Sequence, residues 1–245
     1  TLCLVEAVHF VSGGQLYGRD VLMQGRAVHL FAEDGVAFGR YQLQRILADG
    51  YSSGALPENV VARAKRDVLL VGWSRSKFGP LVEVDRDGNA HRAQAFDLLL
   101  EVLTAYRPVY VNLDPAVLLG PGEDRGNVVD GLWASMVHEA ARELNACVQM
   151  IDHVSQAVAR TQTIDQHAAR GGTAKTDNAR LARQLVRPAP GEPLTGMPAA
   201  VTPEDIERRR VLQLHWTKSN YAPLPPFAWL RRRGHWIEYL RAVSA

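Results

Sequence analysis

Apolar positions along this chain follow two rhythms that take turns. Leu2–Val11 carries Leu2, Val5 and Phe10 at helical spacing and stops at Ser12-Gly13-Gly14. Ala27–Phe31 is a short apolar run, which predicts a strand, and it leads into Ala32-Glu33-Asp34-Gly35. Val36–Ala48 reads as a helix that stops at Asp49-Gly50. A strand is expected over Asp67–Trp73, and a hairpin-like excursion over Leu81–Ala90 that turns at Asp87-Gly88. Gln94–Tyr106 is helical, and Pro108–Leu113 is a β-branched strand ending at Asp114-Pro115. Gly120–Asp124 is a loop, Val128–Asn145 a long amphipathic helix and Ala146–Asp152 a buried strand. Val154–Lys175 is polar and irregular. Periodicity leaves Asp177–Val186 open between helix and strand, and the Pro- and Gly-rich stretch Arg187–Pro203 reads as a mobile loop. Val211–Trp216 alternates as a strand, and Phe227–Arg241 reads as a closing hairpin.

Strands that alternate with helices and are nearly all apolar imply an α/β fold around a mostly parallel sheet covered on both faces. Such sheets place ligands at the carboxyl ends of their strands. Three strands here end in polar groups: Glu33-Asp34, Asp114 and Asp152-His153. That convergence is the main chemical signal in the sequence.

Composition adds bounds. The chain has 245 residues, 47% hydrophobic and 22% charged, the balance of a globular α/β protein, and no run reaches the length of a membrane-spanning helix. Leu2–Val11 carries Glu6 and His9 without a basic flank, so it does not read as a signal peptide, and a cytoplasmic location is expected. Cys3 and Cys147 are read as two buried small hydrophobes rather than a disulfide or metal site. The formal net charge is only +2, but arginines crowd the last segment at 208–210 and 231–233. This basic stretch can contact phosphates or can be a solvated strand edge and turn.

Each polar strand end admits two readings. Asp114, after Val109–Leu113, has the form of a Walker B aspartate that holds Mg²⁺ beside phosphates; Asp-Pro is also a common turn start. Glu33 is placed to act as a general base on water, whereas Asp34-Gly35 is equally suited to capping the next helix. His153 is placed to sense a γ phosphate, or is a hydrogen-bonded, partly buried histidine. Arg170, before Gly171-Gly172, is a candidate arginine finger in what is otherwise a surface loop.

Several runs together resemble one family. These are Ala32-Glu33-Asp34; Asp152-His153-Val154-Ser155-Gln156; Ala169–Ala174 with Asp177–Arg180; Thr217-Lys218-Ser219-Asn220-Tyr221; and Trp229–Arg232. In order and spacing they are similar to the RepA-type hexameric replicative helicases of plasmids and phages, which have a RecA-like P-loop ATPase core. The resemblance spans essentially the whole chain as a single domain with a C-terminal β-hairpin. It implies ATP and Mg²⁺ as cofactors, single-stranded DNA as partner and a hexameric homo-oligomer. By the same resemblance Glu33 is the catalytic glutamate, Asp114 the Walker B aspartate and metal ligand, His153 the γ-phosphate sensor and Arg170 a finger acting in trans. Thr1, Asp34 and Lys218 belong to the nucleotide site, and Arg160 and Lys175 to the DNA contacts around the Ser155–Ala169 loop.

The sequence departs from that pattern in three places. Asp152 replaces the first histidine of a pair, and Gln156 replaces a lysine. No G-x-x-x-x-G-K-[ST] occurs, and the chain is expected to begin just after that loop, without the strand that carries it. Two other classes remain open: a RecA-like ATPase that remodels DNA or protein without unwinding, and a non-catalytic DNA-binding or assembly module. A metal hydrolase built on Asp114, Asp152 and His153 lacks a tight ligand cluster in the sequence.

Overall fold

The computed structural model describes residues 1–120, 127–153, 164–165, 174–188, 197–220, 223 and 227–240. The elements run α1 (Leu2–Ser12), β1 (Gln15–Leu16), β2 (Arg19–Asp20), β3 (Arg26–Phe31), α2 (Val36–Ser52), α3 (Glu58–Asp67), β4 (Val68–Gly72), α4 (Arg75–Phe78), β5 (Val82–Val84), β6 (Ala90–Arg92), α5 (Gln94–Tyr106) and β7 (Pro108–Asp114). They continue as α6 (Ala116–Leu119), α7 (Asn127–Leu144), β8 (Cys147–Met150), α8 (Ala174–Asn178), β9 (Leu181–Val186), α9 (Pro203–Glu207), β10 (Val211–Ser219), β11 (Ala228–Arg233) and β12 (Trp236–Leu240).

β4, β3, β7 and β8 form a parallel sheet in that order. Its strands alternate in which face each residue serves. Val28, Leu30, Val111 and Leu113 join the core beneath α5 and α7. Ala27, Phe31 and Tyr110 point the other way, into a core shared with α1, α2 and α3. β9–β12 form a second, antiparallel sheet in the order β12-β11-β10-β9. Leu214, Ala228, Leu230, Trp236 and Ile237 of that sheet close the same core from the far side. α1 is therefore covered on both sides, which is why it is apolar nearly all round, with Leu4, Val5, Ala7, Val8 and Val11 all buried.

The layering fixes the crossovers. β3 connects to β4 through α2 and α3 on the α1 face, whereas β7 connects to β8 through α7 on the opposite face. β3 and β7 are neighbours, so a topological switch point lies between them. That is where open α/β sheets form a ligand crevice.

Two expectations need correction, and two stretches without an assignment are filled in. Asp49-Gly50 does not stop α2, which runs on to Ser52: Gly50 is in the helix because a Cβ there would lie 2.6 Å from Leu56 and 3.1 Å from Trp236. α3 was not assigned from the sequence, although Val60, Val61 and Ala64 recur at helical spacing and face the core. Asp177–Val186 divides between a helix ending at Asn178 and a strand beginning at Leu181. Cys147 opens the edge strand β8 and is exposed, so only Cys3 is a buried thiol, with burial pushing its ionisation far up. The 121–124 part of the Gly120–Asp124 loop, nearly all of 154–173, and residues 189–196 lie outside the described residues.

Candidate functional site

The carboxyl edge of the parallel sheet is continuous. Phe31 is the register partner of Asp114 and of Gly72, and Leu113 that of Met150. Backbone bonds carry the ladder past the strand ends: the Ala32 amide donates to the Asp114 carbonyl (2.8 Å) and the Ile151 amide to the Leu113 carbonyl (2.9 Å). Glu33 and Asp34 follow directly on β3, and both are exposed. Asp114 ends the adjacent strand with its side chain 32% exposed. Asp152 and His153 follow β8, His153 exposed with its amide donating to Asp152 Oδ1 (2.9 Å). Glu33 and Asp114 thus stand at the ends of adjacent strands, on the two sides of the switch point.

Beneath Asp114 the sheet is polar where a sheet interior is normally apolar. His29, Asn112 and Gln149 occupy one register row across β3, β7 and β8, and His29 and Asn112 are fully buried. Asn112 Nδ2 lies 3.2 Å from His29 Nδ1, and His29 Nε2 lies 3.5 Å from Asp114 Oδ2. Burial lowers the His29 pKa and outweighs the opposing pull of Asp114, so the ring is neutral at neutral pH and one nitrogen faces the carboxylate. This row supports Asp114 from below and fixes where the carboxylate sits. The sequence offered a signal for it: Asn112 interrupts an apolar run two residues before Asp114, on the same strand face, and His29 interrupts the apolar run of β3.

α1 lies against this row and antiparallel to the strands. Near its start, Cys3 Sγ accepts from Gln149 Nε2 (3.3 Å); near its end, the Phe10 carbonyl accepts from the Gly25 amide (3.1 Å), just before β3 begins. The N-terminal end of α1, with its partial positive charge and amides that helix geometry leaves free, is directed toward the Asp114 edge. Thr1 occupies its N-cap position without capping it; its Oγ1 donates to Gln42 Oε1 (3.4 Å).

α1 also carries Glu6, which is buried. Tyr17, Tyr110 (2.9 Å) and Arg183 (2.6 Å) donate to its carboxylate, and Arg183 also donates to Gln149. Burial alone would raise the Glu6 pKa, but the Arg183 charge and these hydrogen bonds hold it below the ordinary value. The network joins α1, the parallel sheet and β9, and sequence reading missed it, although a glutamate inside an apolar helix was its trace.

The remaining expected residues are placed as follows. Lys175 is only 5% exposed; its ammonium donates to Asp152 and lies 3.6 Å from Asp130 of α7, so it is an interior ion pair rather than a surface contact for DNA. Lys218 is half-buried and donates to the carbonyls of Thr176 (2.9 Å) and Asp177, which terminates α8 from β10. Arg160 and Arg170 lie outside the described residues.

The described residues fit Mg²⁺–nucleotide chemistry on the metal side. Mg²⁺ takes one or two protein carboxylates and completes its shell with water and phosphate oxygens, and Asp114 offers one partly exposed carboxylate at a strand exit. Among the described residues no three His, Cys, Asp or Glu side chains gather into a protein-only metal cage. No helix among the described residues is long and apolar enough to cross a membrane.

No protein-family model and no curated protein sequence matches the chain. Among solved structures it is similar to the crystal structure of the RadB recombinase, with a TM-score of 0.49 and 13% identity over 89% of this chain and 80% of that one.

Proposed function

We propose that this chain forms the larger part of a RecA-like motor core that hydrolyses Mg²⁺–ATP between adjacent copies and moves on single-stranded DNA, as a subunit of a RepA-type hexameric helicase. The observation that carries the reading is the switch point: Glu33 and Asp114 stand at the carboxyl ends of adjacent parallel strands, and the N-terminal end of α1 is directed to the same edge. That arrangement joins two carboxylates of different exposure to a helix end suited to phosphate. Two of the runs with which the sequence resembles the helicases, Ala32-Glu33-Asp34 and Asp152-His153, follow the parallel strands β3 and β8 at this edge.

In this reading Asp114 holds the Mg²⁺ shell, and His29 and Asn112 keep its carboxylate in place. When bound, the metal neutralises charge on the transferring phosphoryl group. Glu33, at the open end of β3, orients and polarises the attacking water. His153 stands at the tip of the next strand, where it can report whether a γ phosphate is present. Arg170 stabilises transition-state charge from a neighbouring copy, and Asp34 and Thr1 border the phosphates. Lys218 acts through α8, whose carbonyls it holds, and so on the placement of the segment that carries Arg170. The glycine-lysine phosphate loop that the reading requires is not within these 245 residues, so tests use the full natural protein.

Glu33→Gln separates binding from chemistry. We expect it to keep Mg²⁺–ATP affinity within about threefold while turnover falls by roughly 10²–10⁴, the range typical of a lost general base. Loss of nucleotide binding together with turnover would place Glu33 outside the chemistry. A strand-displacement assay then decides the finer point, since a motor that remodels without unwinding hydrolyses ATP but releases no strand.

A further inference from the structure

The two arginine triplets found in the sequence form one surface. β10 follows Arg208–Arg210 and pairs with β11 so that Val211 faces Arg231, and the Arg232 amide donates to the Arg210 carbonyl (2.7 Å). The β11–β12 turn then brings Arg232 and Arg233 onto the flank of α2. There the Asp49 carboxylate accepts from the His235 amide (2.7 Å) and lies near the His235 ring and Arg45. Six arginines from two distant stretches and Arg45 of α2 thus lie on neighbouring segments together with five carboxylates, Asp49, Glu204, Asp205, Glu207 and Glu238. The excess of two equals the formal net charge of the whole chain, +2.

The carboxylates are not spread evenly. Asp205 and Glu238 hold Arg231, which is largely buried, and Asp49 holds the turn. These pairs build the face. Arg208 and Arg233 are exposed while paired with Glu204 (3.0 Å) and Glu238 (2.9 Å), Arg209 and Arg232 are exposed as well, and Arg232 is fixed by its own bond to the Gly234 carbonyl (2.8 Å). Beside them α2 presents Phe38 and Tyr41, one helical turn apart and about half exposed, with Tyr41 edge-on to His235. Exposed guanidinium groups next to exposed aromatic rings suit a phosphate backbone with unstacked bases.

We propose that this face, made by the β11–β12 turn, the Arg208–Arg210 turn and the outer side of α2, binds single-stranded nucleic acid. Its arginine-bearing part is set apart from the Asp114 edge: Asp49 lies about 20 Å along α2 from that helix's first residue, and Phe38 and Tyr41 extend the face toward that edge. The site needs no nucleotide, so it stands or falls apart from ATP hydrolysis.

The test is the affinity of the full natural protein for a fluorescent oligo(dT), without nucleotide, across a range of salt. The triple variant R209A/R232A/R233A should bind at least about tenfold more weakly at 0.1 M salt. Its log–log salt slope should be smaller by about two, as expected for three lost phosphate contacts on a single strand. The triple variant R209K/R232K/R233K should keep the slope, and hydrolysis without DNA should match the unsubstituted protein in both. If the alanine triple does not fold, Arg209→Ala alone, in an exposed turn, should lower the slope by about 0.7. Unchanged affinity and slope in the folded alanine variant overturn the proposal, as does an unsubstituted protein that does not bind oligo(dT). So does a variant that binds DNA normally but changes its oligomeric mass, since the face would then meet protein.

Discussion

At the scale of single residues, the site rests on side chains that are unusual where they stand. His29 and Asn112 are buried in strands that are otherwise apolar, and their position beneath Asp114 accounts for both. His29→Leu should leave the fold intact but loosen the carboxylate, raising the Mg²⁺ concentration needed for half-maximal hydrolysis more than it lowers the maximal rate. A lower maximal rate at unchanged Mg²⁺ demand would argue against a positioning role. Lys175 makes a sharper case for stability. Its ammonium meets Asp152 and the fully buried Asp130, so Lys175→Met leaves carboxylates in the interior without it. Removing one partner of a buried pair costs about 3–5 kcal/mol, which a urea unfolding midpoint would register. The strand-end carboxylates were legible in the sequence because an apolar run that ends in Asp or Glu is a local pattern. The interior role of Lys175 was not legible, since it depends on α8 packing against α7, some 40 residues away in the chain.

At the scale of elements, strand existence was easy to read because both faces of the parallel sheet are covered and its strands are apolar apart from the His29–Asn112–Gln149 row. Boundaries failed where tertiary packing overrode local signals. Gly50 looked like a helix stop but is a close contact with Leu56 and Trp236. α1 has the most to show about energetics, because it is enclosed by two sheets. Burial lowers the His9 pKa, so an unfolded chain takes up a proton there that the folded chain refuses. Stability should therefore begin to fall as pH drops below about 6.5. Glu6 is held below its ordinary carboxylate range, so its contribution is present above the unfolded value near 4.5 and is lost as pH falls through the folded one. Unfolding midpoints between pH 7 and pH 3 should show both declines. Glu6→Gln should be less stable at pH 7 and should lack the lower of the two; an unchanged low-pH limb would show that Glu6 is not the group responsible.

At the scale of the whole molecule, topology converts scattered motifs into a site. β3 and β7 pair in parallel and send their crossovers to opposite faces, which brings the strand ends at Glu33 and Asp114 to one switch point although 80 residues of chain separate them. The class of fold could be read from the alternation of strands and helices. Which strands are neighbours could not, because strand order is set by helix layers rather than by any local pattern. The proposed assembly has its own consequence: if Arg170 acts across copies, Arg170→Ala should abolish turnover while the monomer still folds. Mixing it with Glu33→Gln protein should restore some activity, since each can supply what the other lacks. Mixtures that stay inactive while co-assembling would speak against a finger in trans.

The central claim is that the Asp114 edge of the parallel sheet is a Mg²⁺–ATP site coupled to single-stranded DNA. The most direct measurement is the rate of ATP hydrolysis by the full natural protein, with and without Mg²⁺ and with and without single-stranded DNA, beside Asp114→Asn. We predict hydrolysis that requires Mg²⁺, rises several-fold with DNA and falls at least about a hundredfold in the variant. Hydrolysis that is indifferent to Asp114→Asn, or absent from the full natural protein under all these conditions, would contradict it.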